Sequence, residues 1–185
     1  MTGFPSVIEI PAGPYSITEL RRHDAAAIAA AFEDPEIRAW LPLPNPYPLE
    51  LAERWCVEIT PRMREDDTGL VLAVRDGERL LASVDAKRID RRAATCELSY
   101  WTAPPARGRG VMTSAVSAVA RWLISSQRFE RVEVRVAPGN AASLAVVERA
   151  GFVREGVARN AGFTDSGRVD LVVWSLTPDD LEPTA

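Results

Sequence analysis

Residues 99–113 read Ser-Tyr-Trp-Thr-Ala-Pro-Pro-Ala-Arg-Gly-Arg-Gly-Val-Met-Thr, and they limit the possible fold more than any other stretch. Neither Pro104 nor Pro105 offers a backbone N–H, so the apolar, aromatic strand before them must stop there. Gly108 and Gly110 lack a Cβ, which lets the chain bend tightly and lets a ligand approach the backbone. Val111, Ala115, Val119 and Trp122, with Ala118 and Leu123, recur at helical spacing, so a helix follows the turn directly and ends near Ser126. The first turn of that helix carries unpaired N–H groups and the positive end of its dipole. Such a helix start is an anion site, with phosphate its commonest occupant. Arg107 and Arg109 add positive charge beside it.

Everything else must present this turn. A chain of 185 residues is large enough for a real core and is expected to form one domain over residues 1–185, with a loose or extended lead-in at 1–14 and a tail at 178–185. The formal charge of -4 argues against nucleic acid as the main partner and suits a cationic acceptor such as an amine. A bound phosphate would then need a local feature, which returns attention to the Arg-Gly-Arg-Gly turn. Cys56 and Cys96 lie far apart with no metal-ligand spacing, and His23 is the sole histidine, so no metal is expected. His23 reads as a surface residue near a helix start. Two isolated cysteines suggest buried, reduced thiols. With no signal-peptide pattern and no apolar run of about 20 residues, the expected location is the cytoplasm and no membrane is implied.

Along the chain, residues 15–21 suit a short strand, and Asp24 can cap an Ala-rich helix reaching Phe32. Asp34-Pro35 starts a second short helix, to Trp40. Residues 41–48 alternate prolines and must form a stiff extended loop. That loop is either a polyproline-like connector or one wall of an acceptor pocket surfaced by Trp40 and Tyr47. Residues 49–62 have helical spacing, with Leu51, Trp55 and Ile59 on one face. Residues 69–75, a turn at Asp76-Gly77, residues 79–89, a turn at Asp90-Arg91-Arg92 and residues 93–101 make an antiparallel meander. Residues 131–136 alternate polar and apolar, as a half-exposed strand does. Asn140 can cap a helix that stops at Gly151, with Phe152 placed for the apolar contact of a Schellman motif. Two last strands, 152–159 and 168–176, flank a polar loop with Gly162, Asp165, Ser166 and Gly167. The strand-helix-strand unit implies a parallel pair with a right-handed crossover in a mixed sheet.

This order, with the Arg107-Gly108-Arg109-Gly110 turn, resembles the GNAT superfamily of acyl-CoA-dependent N-acetyltransferases, and within it the RimJ/RimL-like branch. Glu97-Leu98-Ser99-Tyr100-Trp101 is similar to that family's fourth strand. Arg131-Val132-Glu133-Val134 is similar to its fifth. Asn140-Ala141-Ala142-Ser143 followed by Glu148-Arg149-Ala150-Gly151-Phe152 is similar to its last helix. The resemblance covers roughly residues 15–177 and implies an α/β fold: a largely antiparallel N-terminal sheet, splayed fourth and fifth strands, and helices on both faces. It implies acetyl-CoA as co-substrate, with the pyrophosphate on the amides of Arg107, Gly108, Arg109, Gly110, Val111, Met112 and Thr113. The pantetheine arm would pair with backbone at Tyr100, Trp101 and Thr102 and touch Asn140 and Ser143. A primary amine, on a protein N-terminus or a small molecule, would attack the thioester directly while a strand N–H stabilises the oxyanion.

For proton transfer, many relatives place a tyrosine on the last helix; the matching position here is Val147. Ser143 is the branch's substitute acid, or a residue that only hydrogen-bonds backbone or cofactor. Glu97 is the leading general base, acting through an ordered water near the acceptor, with Glu133 and Asp170 in reserve. Two further positions depart from the family: Gly162 stands where some ribosomal relatives carry a glutamate, and Pro105 where many members begin the pyrophosphate turn with Gln or Arg. A non-catalytic module of the same fold that senses acyl-CoA is the competing reading. A P-loop or Rossmann protein is excluded, because no lysine follows the glycines and Thr113 replaces the third fingerprint glycine. Edge strands and aromatic residues leave room for a homodimer.

Overall fold

Among the described residues, 3–181 of a computed structural model, eight strands form one continuous sheet in the order β1-β2-β3-β4-β5-β6-β8-β7. Residues 1–2 of the expected lead-in and 182–185 of the expected tail lie outside the described part. The strands are β1 (Glu9–Ala12), β2 (Tyr15–Glu19), β3 (Leu70–Asp76), β4 (Arg79–Asp90), β5 (Thr95–Thr102), β6 (Arg131–Val136), β7 (Val153–Thr164) and β8 (Gly167–Leu176). The helices are α1 (Ala25–Phe32), α2 (Pro35–Trp40), α3 (Leu49–Arg54), α4 (Thr60–Glu65), α5 (Val111–Gln127) and α6 (Ala141–Arg149). Every neighbouring pair of strands is antiparallel except β5 and β6, which α5 joins by a crossover.

Alternation decides which side each residue faces. In β6, Val132, Val134 and Val136 are buried under α5 and α6, while Arg131, Glu133 and Arg135 point to the opposite face. In β5, Cys96 and Leu98 join the core under α5, whereas Trp101 joins a second core beneath α1 to α4. Helices thus cover both faces, as expected. The α6 end is a complete Schellman motif: Gly151 has φ 90°, its N–H donates to Glu148 O at 3.1 Å, and Phe152 N–H donates to Val147 O at 3.1 Å. Phe152 is buried, as the motif requires.

Several expectations need correction. The loose or extended lead-in takes its extended form at β1, but as a paired strand along β2 rather than a free segment. Asp24 precedes α1 but makes no cap to it. Its carboxylate accepts from Arg21 N–H at 2.7 Å and from the Arg75 guanidinium, whose Nη1 lies at 2.7 Å, and both charged side chains are 1% exposed. The helix expected over 49–62 is broken by a π turn, Trp55–Ile59. Pro61 has no N–H to give to the turn before it, and Thr60 N–H reaches back five residues to Trp55 O. The first hairpin turns on Gly77-Glu78, since Asp76 and Arg79 still pair. Gly162 lies inside β7, opposite Val169, and the β7–β8 turn shrinks to Asp165 and Ser166. Pro178–Leu181 of the tail form a 3-10 turn.

Candidate active site

β5 runs to Thr102, but its ladder with β6 ends at the Leu98–Val134 pair. Beyond it the two strands part, and the β6-facing edge of β5 from Ser99 to Thr102 has no strand beside it among the described residues. This is the expected splay. The open edge leads into the Pro104–Ala106 turn and then the glycine turn. Gly108 and Gly110 adopt φ 70° and 73°, the left-handed region that only glycine enters without strain. Space is not what demands glycine there, since a Cβ at either would meet nothing within 4 Å.

The α5 helix has no side-chain cap, and its first bond is Ser114 N–H to Gly110 O at 3.0 Å. Among the described residues no protein acceptor takes the amides of Gly108, Arg109, Gly110, Val111, Met112 or Thr113. They form a cluster of bare donors at a helix start, able to bind a diphosphate. The Arg107 amide drops out of the expected set, because it closes the 3-10 turn on Pro104 O at 3.3 Å. Its side chain is also elsewhere: Nη2 pairs with Asp34 Oδ1 and Nη1 with Glu36 Oε2, each at 2.5 Å. That hydrogen bond from Arg107 is the main reason the Asp34 carboxyl lies below the usual range. Arg109 is exposed and has no ion pair among the described residues, so it is the cation left facing the turn.

The opposite lip of the gap is the start of α6. Asn140 Oδ1 accepts from Ser143 N–H at 3.0 Å, the cap that its sequence position implies. Ser143 Oγ lies 2.7 Å from the Tyr100 hydroxyl, which also reaches Ser143 O at 3.3 Å. Burial raises the Tyr100 phenol to about 12, against a smaller opposing effect of the Ser143 hydrogen bond. It therefore keeps its proton at neutral pH. Val147, at the position matching the tyrosine of many relatives, is fully buried under the sheet.

On the other face, the register places Asp85 opposite Ser99 and Lys87 opposite Glu97. Glu97 is 7% exposed, in the closed part of the ladder opposite Glu133. Lys87 Nζ and Arg88 Nη1 lie 3.3 Å from its oxygens and Arg135 Nε lies at 3.5 Å, although Oε2 has no hydrogen-bond partner. Burial pushes the Glu133 carboxyl up, but hydrogen bonds from Arg131 and Arg135 outweigh it and leave it lowered. Asp170 accepts from Asn160 N–H at 2.8 Å within the β7–β8 hairpin. The expected bases are thus all engaged. Asp85 on β4 has no ion pair among the described residues and accepts a single side-chain hydrogen bond, from Ser83 Oγ at 2.9 Å. No sequence signal marks it, because β4 also carries Lys87, Arg88 and a second acid, Asp90.

The two aromatic residues expected at the acceptor wall separate. Tyr47 is buried, edge-on to Phe32 with ring centres 4.8 Å apart, and belongs to the helical core. Burial alone explains most of its raised phenol. Trp40 stays partly exposed at the end of α2 and lies against the turn before α6, its Cη2 3.3 Å from where a Gly139 Cβ would stand. With Arg107 held by Asp34 at the other end, α2 spans the tips of the two parting strands. His23 is 54% exposed beside Glu78, as expected of a surface residue. Cys56 and Cys96 are buried free thiols, raised by burial to about 11 and about 12.

A split between parallel strands beside a helix start with bare amides makes an open slot that an extended ligand bearing phosphate can enter. Residues 16–153 match the family model described as an acetyltransferase (GNAT) domain. The chain belongs to the GNAT acetyltransferase family. It is 32% identical over 139 residues to YjcK of Bacillus subtilis, named as an N-acetyltransferase, covering 72% of this chain and 76% of that protein. It is 31% identical over 88 residues to the [ribosomal protein uS5]-alanine N-acetyltransferase of Escherichia coli, covering 48% of this chain and 45% of the other. Its fold matches RimJ of Mycobacterium smegmatis, solved in complex with CoA-disulfide, with a TM-score of 0.86 at 18% identity over 96% of this chain and 90% of that one.

Proposed function

We propose that this chain transfers the acetyl group of acetyl-CoA to a primary amine within a ternary complex. The observation that carries the reading is the continuity between the unpaired edge of β5 and the bare amides of Gly108 to Thr113. The amides and Arg109 hold the pyrophosphate. The pantetheine arm lies along Tyr100, Trp101 and Thr102, bringing the thioester to the point where β5 leaves β6. The amine nitrogen attacks the carbonyl carbon, a β5 N–H takes the developing oxyanion, and the C–S bond breaks. The leaving thiolate takes a proton from Ser143 Oγ, which the Tyr100 hydroxyl at 2.7 Å can replenish. This supplies a phenol from the β5 wall where Val147 has none. Glu97, with its three cations, anchors the polar face on which the acceptor sits.

The relatives support an amine acceptor: one of them is named for an alanine of ribosomal protein uS5. A cytoplasmic site of action fits the acetyl-CoA donor and the two buried thiols. No helix of the described residues is long and apolar enough to cross a membrane.

The test is thiol release from acetyl-CoA with hexapeptides beginning in alanine or serine and with spermidine, with the product checked by mass. Acetylation of at least one amine is expected. A chain that binds acetyl-CoA by calorimetry yet acetylates none of them would be a sensing module instead.

A further inference from the structure

We propose that Asp85 is the general base that takes the proton from the acceptor ammonium. The inference rests on the transferase reading above and adds a residue that neither the family motifs nor the sequence pattern singled out. Its footing is register. Asp85 on β4 pairs with Ser99 on β5, the first residue past the last β5–β6 rung, so the carboxylate stands beside the point where the strands part. Directly paired residues share a face, so Asp85, Ser99 and Glu97 look toward the acceptor side, away from α5 and α6.

The neighbours of Asp85 leave it free to act. Across the sheet it has Val71 on β3 and Ser99 on β5, neither charged. On its own strand Ser83 Oγ donates at 2.9 Å and holds one carboxylate oxygen, Oδ1. Lys87, two residues on, is the charged neighbour on β4, and its ammonium lies 3.3 Å from Glu97. Glu97, diagonally across on β5, is occupied by Lys87, Arg88 and Arg135. The helical layer packs apolar residues on β3 and β4, Val71 and Ala73 among them. Burial accordingly lifts the carboxyl to about 6, against lesser opposing effects of Ser83 and Lys87. A carboxylate with that affinity accepts a proton better than an exposed one and is still ionised at neutral pH.

The step balances. An acceptor R–NH3+ gives one proton to the Asp85 carboxylate, which later returns it to solvent. The free amine attacks the thioester carbon. The nitrogen then gives its second proton to solvent as the C–S bond breaks, and the thiolate takes one from Ser143 Oγ, which is refilled from solvent through Tyr100, leaving the acetamide, CoA thiol and a net one proton in solution.

The experiment compares wild type with Asp85→Asn and Asp85→Glu, using acetyl-CoA with a hexapeptide beginning in alanine and with spermidine, from pH 5 to 9. Asp85→Asn is expected to lower kcat by about 100-fold or more, with acetyl-CoA affinity unchanged by calorimetry. Wild type should show an acidic limb in kcat near pH 6 that Asp85→Asn lacks and Asp85→Glu partly restores. Wild-type kcat and an unaltered limb in Asp85→Asn would overturn the assignment while leaving the transferase intact. A wild type that binds acetyl-CoA but acetylates neither amine would sink the transferase reading, and the base with it.

Discussion

Asp85 has opposite consequences for activity and for stability. Its carboxyl rises from 3.8 to about 6 on folding, so the folded chain holds that proton more tightly than the unfolded one. The resulting stability is complete below the unfolded value and is lost as pH rises through the folded one. At pH 8 the residue is an ion in a poorly solvating place, and Asp85→Asn is expected to stabilise the fold there by about 3 kcal/mol while changing little at pH 3.5. Urea unfolding at both pH values checks this; a variant less stable at pH 8 would mean that the Ser83 hydrogen bond outweighs the cost of burying the charge. Ser143 makes the contrasting case. Ser143→Ala is expected to lower kcat by about 10- to 100-fold and to leave acetyl-CoA affinity within about twofold, because the Asn140 cap uses the backbone of residue 143, not its hydroxyl. Loss of affinity without loss of kcat would make Ser143 a cofactor contact only. The Asn140–Ser143 cap was legible from three residues of sequence. The contact of the Tyr100 hydroxyl with Ser143 and the place of Asp85 were not, because they depend on what an element 43 residues away, or a strand register, sets opposite them.

Elements were readable where their signals are local. The glycine turn, the Schellman end of α6 and the alternation of β6 each sit within a few residues. Strand β1 escaped because Pro11 argues against a strand, yet β1 is an edge, and a missing N–H costs nothing on the side that faces solvent. Arg107 was misplaced for a related reason: the sequence shows its closeness to the turn but not that Asp34 and Glu36 fold back to meet it. The head of α5 supports the strongest element-scale expectation. Gly110→Glu forces a side chain into the left-handed region and puts a carboxylate where the diphosphate should bind. Acetyl-CoA binding, followed by calorimetry, is expected to fall at least about 100-fold, a loss of about 2.7 kcal/mol, with the far-UV spectrum unchanged. Unaltered affinity would move the pyrophosphate elsewhere.

At the scale of the whole molecule, one sheet separates two cores, and the buried Arg75–Asp24 pair fastens the helical layer to β3. Arg75 also donates to Thr18 Oγ1 at 2.9 Å and Glu19 O at 3.2 Å, so its guanidinium is fully employed. Asp24→Asn would leave a cation without its counter-ion in that interior. It is expected to cost about 3 kcal/mol in urea unfolding at neutral pH, and a loss below about 1 kcal/mol would show that water or Glu19 replaces it. The antiparallel meander and the parallel pair joined by a crossover were foreseeable, whereas the insertion of β8 between β6 and β7 was not. The buried pair was not, because 51 residues separate its members and each alone reads as a surface charge or a helix cap.

The early end of the β5–β6 ladder has a last consequence. Four rungs are all that zip the two halves of the sheet together, so the molecule waits half-fastened. A donor lying along Ser99 to Thr102 would supply the missing stitches from outside the chain. Loading with acetyl-CoA should therefore slow amide hydrogen exchange at residues 99–102 and 134–136 ahead of distant strands such as β1, so that the substrate completes the scaffold that aims it.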